Sequence, residues 1–206
     1  MSVRTARPHT TCTLDGSWEL AWLGDADLSA GALQSGATLA GARFTGRIGV
    51  PGCFDTLPEL AGARGTAAYR TVFQTGEEPA GLLHFDGVPF HVHQKPYSPF
   101  TVEVPPAAAE RELVVLVDNR FDRERSPLQE NYFDFYAYGG ILRPVRYIPL
   151  PAVHITDVRV RTASIDPPTI AVEVDVNTET NVELRYIVDG TEVSRSDSVD
   201  GTATSQ

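Results

Sequence analysis

Short apolar runs, separated by glycine, proline, aspartate and asparagine, dominate this chain. No stretch sustains apolar residues at the three- and four-residue spacing of an amphipathic helix. Short runs with turn residues between them are typical of an all-β sandwich. The pattern therefore predicts an all-β fold with few helices.

The first 150 residues contain apolar runs that predict strands at 18–23, 69–75, 81–88, 100–104, 113–117 and 142–150. The run at 113–117 is continuously apolar, which is typical of a strand covered on both faces. Residues 24–47 are rich in Ala, Gly and Ser and predict irregular surface or a short helical turn. The sequence from Gly49 to Gly52 predicts a turn.

A second set of strands is predicted after the prolines at 149 and 151, at 155–161, 170–176, 182–188 and 191–193. Apolar and polar residues alternate along 170–176, which is the pattern of a half-buried antiparallel strand. Asp189-Gly190 predicts a hairpin turn. We therefore expect two domains, 1–150 and 151–206.

Composition narrows the functional classes. The formal charge is −10, from 17 basic and 27 acidic residues, which disfavours nucleic acids and anionic membrane surfaces as partners. No apolar run approaches the roughly 20 residues of a membrane span, and the first 13 residues lack the apolar segment of a secretory signal. Two cysteines do not make a disulfide framework. We expect a cytoplasmic protein that uses no cofactor.

Within residues 130–146, five aromatic rings surround the carboxylate of Asp134, and two glycines follow them. Rings offer surfaces to the C–H faces of a sugar, and a carboxylate accepts hydrogen bonds from its hydroxyl groups. The same residues also suit a plainer structure, in which the rings are core and Asp134 caps a turn. Both interpretations stay open on chemistry alone.

Seven motifs in fixed order make the chain resemble glycoside hydrolase family 2, which includes β-galactosidases, β-glucuronidases and β-mannosidases. The longest match is Tyr-Phe-Asp-Phe-Tyr at 132–136 with Tyr-Gly-Gly-Ile-Leu-Arg-Pro-Val at 138–145. The others are Leu-Asp-Gly-Ser-Trp at 14–18, Val-Pro-Gly-Cys-Phe at 50–54, Ala-Tyr-Arg-Thr at 68–71 with Phe73, Leu-His-Phe-Asp-Gly-Val at 83–88, Pro-Tyr-Ser-Pro-Phe at 96–100 and Val-Asp-Asn-Arg at 117–120.

The resemblance implies a jelly-roll sugar-binding domain at 1–150, followed by an incomplete immunoglobulin-like sandwich at 151–206. In this family the aspartate that matches Asp134 reaches into the active site of a neighbouring barrel and contacts the sugar. The resemblance therefore assigns a substrate contact to Asp134 and, less directly, to Asn119. Tyr132 and Tyr136 are added as candidate contacts because of the chemistry of their rings. The terminal sugar of a β-linked carbohydrate is the implied ligand.

No catalytic residue is assigned, because a retaining glycosidase needs two carboxylates about 5 Å apart, and in this family both belong to the barrel. Glu130 and Asp134 are four residues apart in a predicted loop, which does not place them as such a pair. The implied role is a non-catalytic N-terminal portion of a β-glycosidase. A free-standing carbohydrate-binding module and the non-catalytic subunit of a split enzyme, partnered by a barrel-containing chain, are the alternatives.

Three further expectations concern weaker features. His91 and His93 would share a strand face, but no third ligand has useful spacing, so we assign no metal site. The segment 89–98 is short by comparison with the family, as though part of a hairpin were deleted. An incomplete second domain should leave Val172, Val174, Leu184 and Tyr186 uncovered, so we expect self-association through residues 155–195.

Overall fold

The computed structural model describes residues 11–74, 81–85, 100–104, 110–120, 138–178, 180–197 and 202–205, with the backbone alone for 81–85 and 202–205. Two compact units divide the chain, one spanning Thr10–Pro149 and the other containing Leu150–Gln206. Strands dominate both units, which confirms the predicted all-β fold.

Ten strands and one helix make up the described part of the first unit. In chain order they are β1 (Cys12–Thr13), β2 (Gly16–Gly24), α1 (Ala30–Ser35), β3 (Gly46–Val50), β4 (Gly52–Cys53), β5 (Thr66–Gln74), β6 (Gly81–Phe85), β7 (Phe100–Val104), β8 (Glu110–Asp118), β9 (Gly140–Ile141) and β10 (Val145–Pro149). Short 3-10 turns lie at Ala37–Leu39, Phe54–Thr56 and Pro58–Leu60.

Two four-stranded antiparallel sheets form the sandwich of the first unit. One has the order β3-β2-β5-β8 and the other β1-β10-β6-β7, while β4 pairs with β9. The sheets share one core, in which the rings of Phe73 and Tyr147, from opposite sheets, lie 5.1 Å apart. The fully buried side chains Trp18, Tyr69 and Val115 fill the same core, where close packing makes each of them sensitive to truncation.

The segment between β2 and β3 contains the predicted short helical turn. Ser29 caps α1 by accepting a hydrogen bond from the Ala32 N–H, and Gly36 ends the helix in the left-handed conformation. The predicted strands of the first unit are confirmed as β2, β5, β6, β7, β8 and β10, within the described residues. Residues 86–99, which include His91, His93 and the shortened segment 89–98, lie outside them.

Two details of the first unit differ from the sequence-based expectation. Residues Gly46–Val50 form β3, although only a turn was predicted at 49–52. The strand was not predicted because two of its five residues are glycine, which leaves Ile48 and Val50 as its only strand-forming residues. Along β8 the side chains of Leu113, Val115 and Val117 are buried, but Val114 and Leu116 are half-buried. The opposite face of β8 is therefore covered only in part.

Five strands form the described part of the second unit: β11 (Ile155–Ile165), β12 (Pro168–Val176), β13 (Glu183–Val188), β14 (Thr191–Asp197) and β15 (Thr202–Ser205). They make a sheet of order β11-β12-β15 and a two-stranded hairpin, β13-β14. Asp189 and Gly190, with φ of 48° and 80°, form the predicted two-residue turn of that hairpin.

The apolar residues of the second unit are distributed differently from the expectation. Val174 is buried and Val172, Leu184 and Tyr186 are half-buried, so the prediction that these four stay uncovered is wrong. Four of the nine large exposed apolar residues in the described part of this unit lie on β11, where Val158 and Val160 stand directly opposite Val174 and Val172 of β12. Val172 and Val174 are on the central strand of this sheet, whereas Val158 and Val160 are on an edge strand.

The described residues contain no helix that is long and apolar enough to cross a membrane.

Candidate functional site

Three strands of the sheet β3-β2-β5-β8 begin or end at the same edge of the first unit. In the register of the sheet, Gly24 of β2 lies opposite Thr66 of β5, and Thr66 lies opposite Asp118 of β8. The chain leaves this edge after Arg120 and is described again from Tyr138. Arg120 and Tyr138 therefore flank segment 121–137, which contains three of the four predicted sugar contacts.

Asn119 is a buried side chain that holds the neighbouring turn. Its amide oxygen accepts a hydrogen bond from the Gly65 N–H at 2.9 Å, and its amide nitrogen donates to the Ala63 carbonyl at 3.0 Å. The Asn119 backbone N–H also donates to the Gly65 carbonyl at 3.3 Å. These bonds give Asn119 a structural role, and its contact with a sugar stays a prediction.

Arg120 fixes the end from which the chain leaves the sheet. Its guanidinium donates to both oxygens of Asp118, at 2.9 Å from Nε and 2.8 Å from an Nη, and to the Ala26 carbonyl at 3.3 Å. The hydrogen bonds with Asp118 raise the pKa of Arg120, so the guanidinium stays charged. A bidentate pair of this kind restricts orientation as well as distance.

Gly139 lies at the other end, where the chain returns to the fold. Its N–H donates to Oδ2 of Asp55 at 2.8 Å, and its carbonyl accepts from the Phe54 N–H at 2.8 Å. A Cβ on Gly139 would overlap the buried Phe54 ring, and one on Gly140 would overlap the backbone of Gly52. Only glycines permit this close approach, which accounts for the Gly-Gly pair of the motif.

The carboxylate of Asp55 is the centre of a small polar cluster. Its side chain is 6% exposed, and it accepts a hydrogen bond from the Cys53 thiol at 3.1 Å and faces the Arg64 guanidinium at 3.8 Å. Burial, and then the hydrogen bond to Asp55, raise the pKa of Cys53, so the thiol stays protonated and weakly nucleophilic.

The phenol hydroxyl of Tyr69 lies in the core of the same unit and has no hydrogen-bond partner among the described residues. Its pKa is raised by burial and, to a smaller extent, by the charge of Asp55. It therefore stays neutral and contributes volume to the core rather than acid–base chemistry.

Trp22 brings an aromatic surface to this edge of the sheet. Its ring packs edge-to-face on Phe54, with centroids 5.4 Å apart, and its indole lies so close to Gly65 that a Cβ there would be 2.9 Å away. The side chain is 38% exposed and borders an open cavity of about 470 Å³, whose wall includes Asp27, Thr38 and Arg43. An indole in such a cavity can stack on a sugar or an aromatic group.

Only one of the predicted site residues falls among the described residues. Asn119 lies at the strand edge, whereas Asp134, Tyr132, Tyr136 and the neighbouring Glu130 belong to segment 121–137, outside them. The described residues also contain no group of three His, Cys, Asp or Glu side chains that could hold a metal ion.

The structure adds Asp55, Trp22 and Arg120 to this edge, which the sequence had not singled out as site residues. Asp55 directly follows the Val-Pro-Gly-Cys-Phe motif, so an acidic residue beside a recognised motif was the available signal. Arg120 belonged to a quoted motif, and besides Asp118 of that motif its partners come from two other segments, Asp25 with Ala26 and Thr66. Nothing in the sequence indicated that Trp22 is a site residue, because alternation along β2 places it on the same strand face as the buried Trp18 and Leu20.

No family model matches this chain, and no curated protein sequence does. Solved structures do match it. A β-glucuronidase from an uncultured Clostridium species is 22% identical with a TM-score of 0.69, over 99% of this chain and 40% of its own. A GH2 β-galacturonidase from Eisenbergiella tayi, solved with galacturonate, is 19% identical with a TM-score of 0.68, over 98% and 38%. A Lactobacillus rhamnosus β-glucuronidase is 22% identical with a TM-score of 0.63, over 98% and 39%.

These matches establish the fold of nearly the whole chain. The chain spans about 40% of the length of the solved enzymes that it matches. The expectation that the chain resembles the N-terminal part of family 2 glycosidases is therefore confirmed for the fold.

Proposed function

We propose that this chain is the N-terminal, sugar-contacting portion of a family 2 β-glycosidase, and that it performs no bond cleavage itself. The observation that supports this most directly is the fold match over 98–99% of the chain to enzymes described as β-glucuronidases and a β-galacturonidase. Those names suggest a β-linked uronic acid as the first sugar to test. Hydrolysis would use two carboxylates of a barrel, and none is assigned here.

The proposed contacts come from the edge of the first unit at which segment 121–137 leaves and returns. Asp134 accepts hydrogen bonds from sugar hydroxyls, Tyr132 and Tyr136 present rings to its C–H faces, and Asn119 is a further contact. The described anchors support this role, because Arg120 and Gly139 hold the two ends of the segment by hydrogen bonds of 2.8–2.9 Å. Contacts from a segment held at both ends cost less ordering entropy on binding.

A free-standing carbohydrate-binding module is the second candidate, and Trp22 favours it. An indole that is partly exposed beside an open cavity gives the first unit an aromatic surface of its own, which needs no neighbouring barrel. Partnership with a separate barrel-containing chain and a cytoplasmic location stay predictions. Co-purification of such a chain with this one would support the partnership.

The test is a titration of the 206-residue chain with glucuronate, galacturonate, galactose and mannose, followed by tryptophan fluorescence and amide shifts. We expect millimolar binding of at least one sugar, and a loss of about tenfold in affinity in Asp134→Ala, which corresponds to one hydrogen bond to a charged group. Asp197→Ala removes an exposed carboxylate from the second unit and is the matched control, for which we expect no change.

Three other results would redirect the assignment. Binding that is lost in Trp22→Ala but kept in Asp134→Ala would favour the free-standing module. Equal binding by wild type and both variants would remove Asp134 and Trp22 from the site. Absence of binding to every sugar would mean that the contacts form only beside a barrel. Reconstitution with a barrel-containing chain would then be the test: sugar binding that is weakened by Asp134→Ala would support the proposal, and binding that is unaffected by it would contradict the proposal.

A further inference from the structure

We propose that Asp55 is a positioning residue, whose carboxylate fixes the return end of segment 121–137 by holding the N–H of Gly139. The proposal rests on the proposed function for its consequence, the sugar contact, but it stands on contacts that are described in full. Asp55 and Phe54 together hold both backbone groups of Gly139, each at 2.8 Å. Tyr138 and Gly139 are the first described residues after the segment.

Of the contacts of Asp55 with Gly139, Arg64 and Cys53, the geometry of the bond from the Gly139 N–H is the strongest. A buried carboxylate is costly unless donors surround it, so the identity of its donors shows its role. Arg64 is 3.8 Å away and 31% exposed, which makes that ion pair long and solvent-screened. The thiol of Cys53 is a weak donor. The Gly139 amide donates at 2.8 Å, and this bond is shorter than the contacts of Asp55 with Arg64 and Cys53 and is charge-assisted.

The same cluster also reaches the end from which the segment leaves. Asn119 holds the carbonyl of Ala63 and the N–H of Gly65, and the side chain of Arg64, between them, faces Asp55. The three residues 63–65 therefore contact anchors of both ends. Removal of the Asp55 carboxylate should loosen the return end and leave the other end held by Asn119 and by the Asp118–Arg120 pair.

The local packing explains why a side chain is needed at this point. β4 and β9 contribute only two residue pairs, Gly52 with Ile141 and Cys53 with Gly140. A two-residue ladder is too short to fix the direction of the chain by itself. The Asp55 bond extends it by one anchored residue towards the segment, and the Phe54 ring, fully buried against Gly139, prevents the backbone from rotating.

The test compares Asp55→Ala and Asp55→Asn with Asp15→Ala in the 206-residue chain. Asp15 Oδ1 accepts the Val145 N–H at 2.9 Å, so it makes the same kind of bond to the same motif six residues further on. The first readout is amide hydrogen exchange at Gly139 and Val145. We expect Asp55→Ala to accelerate exchange at Gly139 by about ten- to a hundredfold and leave Val145 unchanged, and Asp15→Ala to do the reverse.

Asp55→Asn keeps an acceptor oxygen and the shape of the side chain but removes the charge. We expect intermediate exchange at Gly139, because a neutral acceptor makes a bond about half as strong. This variant also decides the question if Asp55→Ala does not fold. Unchanged exchange at Gly139 in both Asp55 variants, or equal acceleration at Gly139 and Val145, would overturn the positioning role.

The second readout is affinity for the sugar that the wild type binds. Asp55→Ala should weaken this affinity about tenfold. Asp15→Ala should weaken it less than twofold, even if both variants lose a comparable amount of thermal stability. Equal losses in the two variants would show that Asp55 acts through general stability and would overturn the link to binding. If the wild type binds no sugar, reconstitution with a barrel-containing chain tests the proposed function, while the exchange data alone still decide whether Asp55 positions Gly139.

Discussion

The two units of this chain are both built from antiparallel strands, yet they bury their apolar side chains to different extents. In the first unit two sheets share a core that contains the fully buried Trp18, Tyr69, Phe54 and Tyr147. In the described part of the second unit only Ala171, Val174 and Val176 are buried. Its exposed apolar residues are Val153, Ile155, Val158, Val160, Ile165, Ile170, Ile187, Val188 and Val193.

The second unit has few buried apolar residues among those described, and it carries several ion pairs on its surface. Arg159 pairs with Asp157, Glu173 and Asp175 at 2.6–3.2 Å, and Arg161 pairs with Glu173 at 2.9 Å, all on the face of the sheet opposite the valines. Exposed ion pairs contribute little to stability. The comparison teaches that alternation along a strand predicts which face is apolar, whereas burial depends on a second layer that covers it.

Glycine-to-alanine substitutions should give the largest difference in lost stability between the two units. Gly139→Ala would force a Cβ into the Phe54 ring, and we expect a loss of about 3 kcal/mol or more, because the first unit has no room to adjust. Gly190→Ala meets no atom and should cost only the left-handed backbone penalty of about 1 kcal/mol. Urea unfolding by circular dichroism measures both. Equal losses would mean that the two units are packed alike.

A matched pair of valines should give the next largest difference. Val115 of β8 is fully buried and Val160 of β11 is 62% exposed. Val115→Ala should lower the free energy of unfolding by about 2 kcal/mol, and Val160→Ala by less than about 0.5 kcal/mol. The same unfolding measurement applies. A large effect of Val160→Ala would show that a partner covers β11 in solution.

Self-association is the third property by which the two units should differ. The predicted association through residues 155–195 now has a specific surface, Val158 and Val160 on the edge strand β11. We expect the double variant Val158→Thr, Val160→Thr to shift sedimentation towards monomer. Val72→Thr changes an equally exposed strand valine of the first unit and should have no effect. A monomeric wild type would refute the predicted association.

The smallest expected effect is the pH response of the β13–β14 hairpin. Hydrogen bonds from Arg195 and then Arg185 lower the pKa of Glu192. A lowered carboxyl pKa stabilises the folded hairpin above the unfolded value of about 4.3, and this stabilisation is lost as the pH falls through the folded pKa. Amide exchange in the hairpin should therefore accelerate on acidification. Glu192→Gln should abolish this response, and Glu59→Gln, in the first unit, should not.

The sequence was sufficient to predict most strands and the two-residue turn at Asp189-Gly190, because both depend on local pattern. It did not predict β3, whose glycines carry no strand signal, nor the coverage of Val174, which depends on its central place in the sheet. At the site, the motif indicated where the chain returns to the fold. The role of Asp55 could not be predicted, because its partner lies 84 residues further along the chain.

The two held ends of segment 121–137 have a consequence for protein engineering. Arg120 and Gly139 are each fixed to residues outside the segment, so the scaffold should tolerate a replacement sequence between them much as an antibody framework tolerates a grafted hypervariable loop. A library that varies only 121–137, with Arg120, Asp55 and the two glycines kept, is therefore a natural starting point for selecting new sugar-binding specificities.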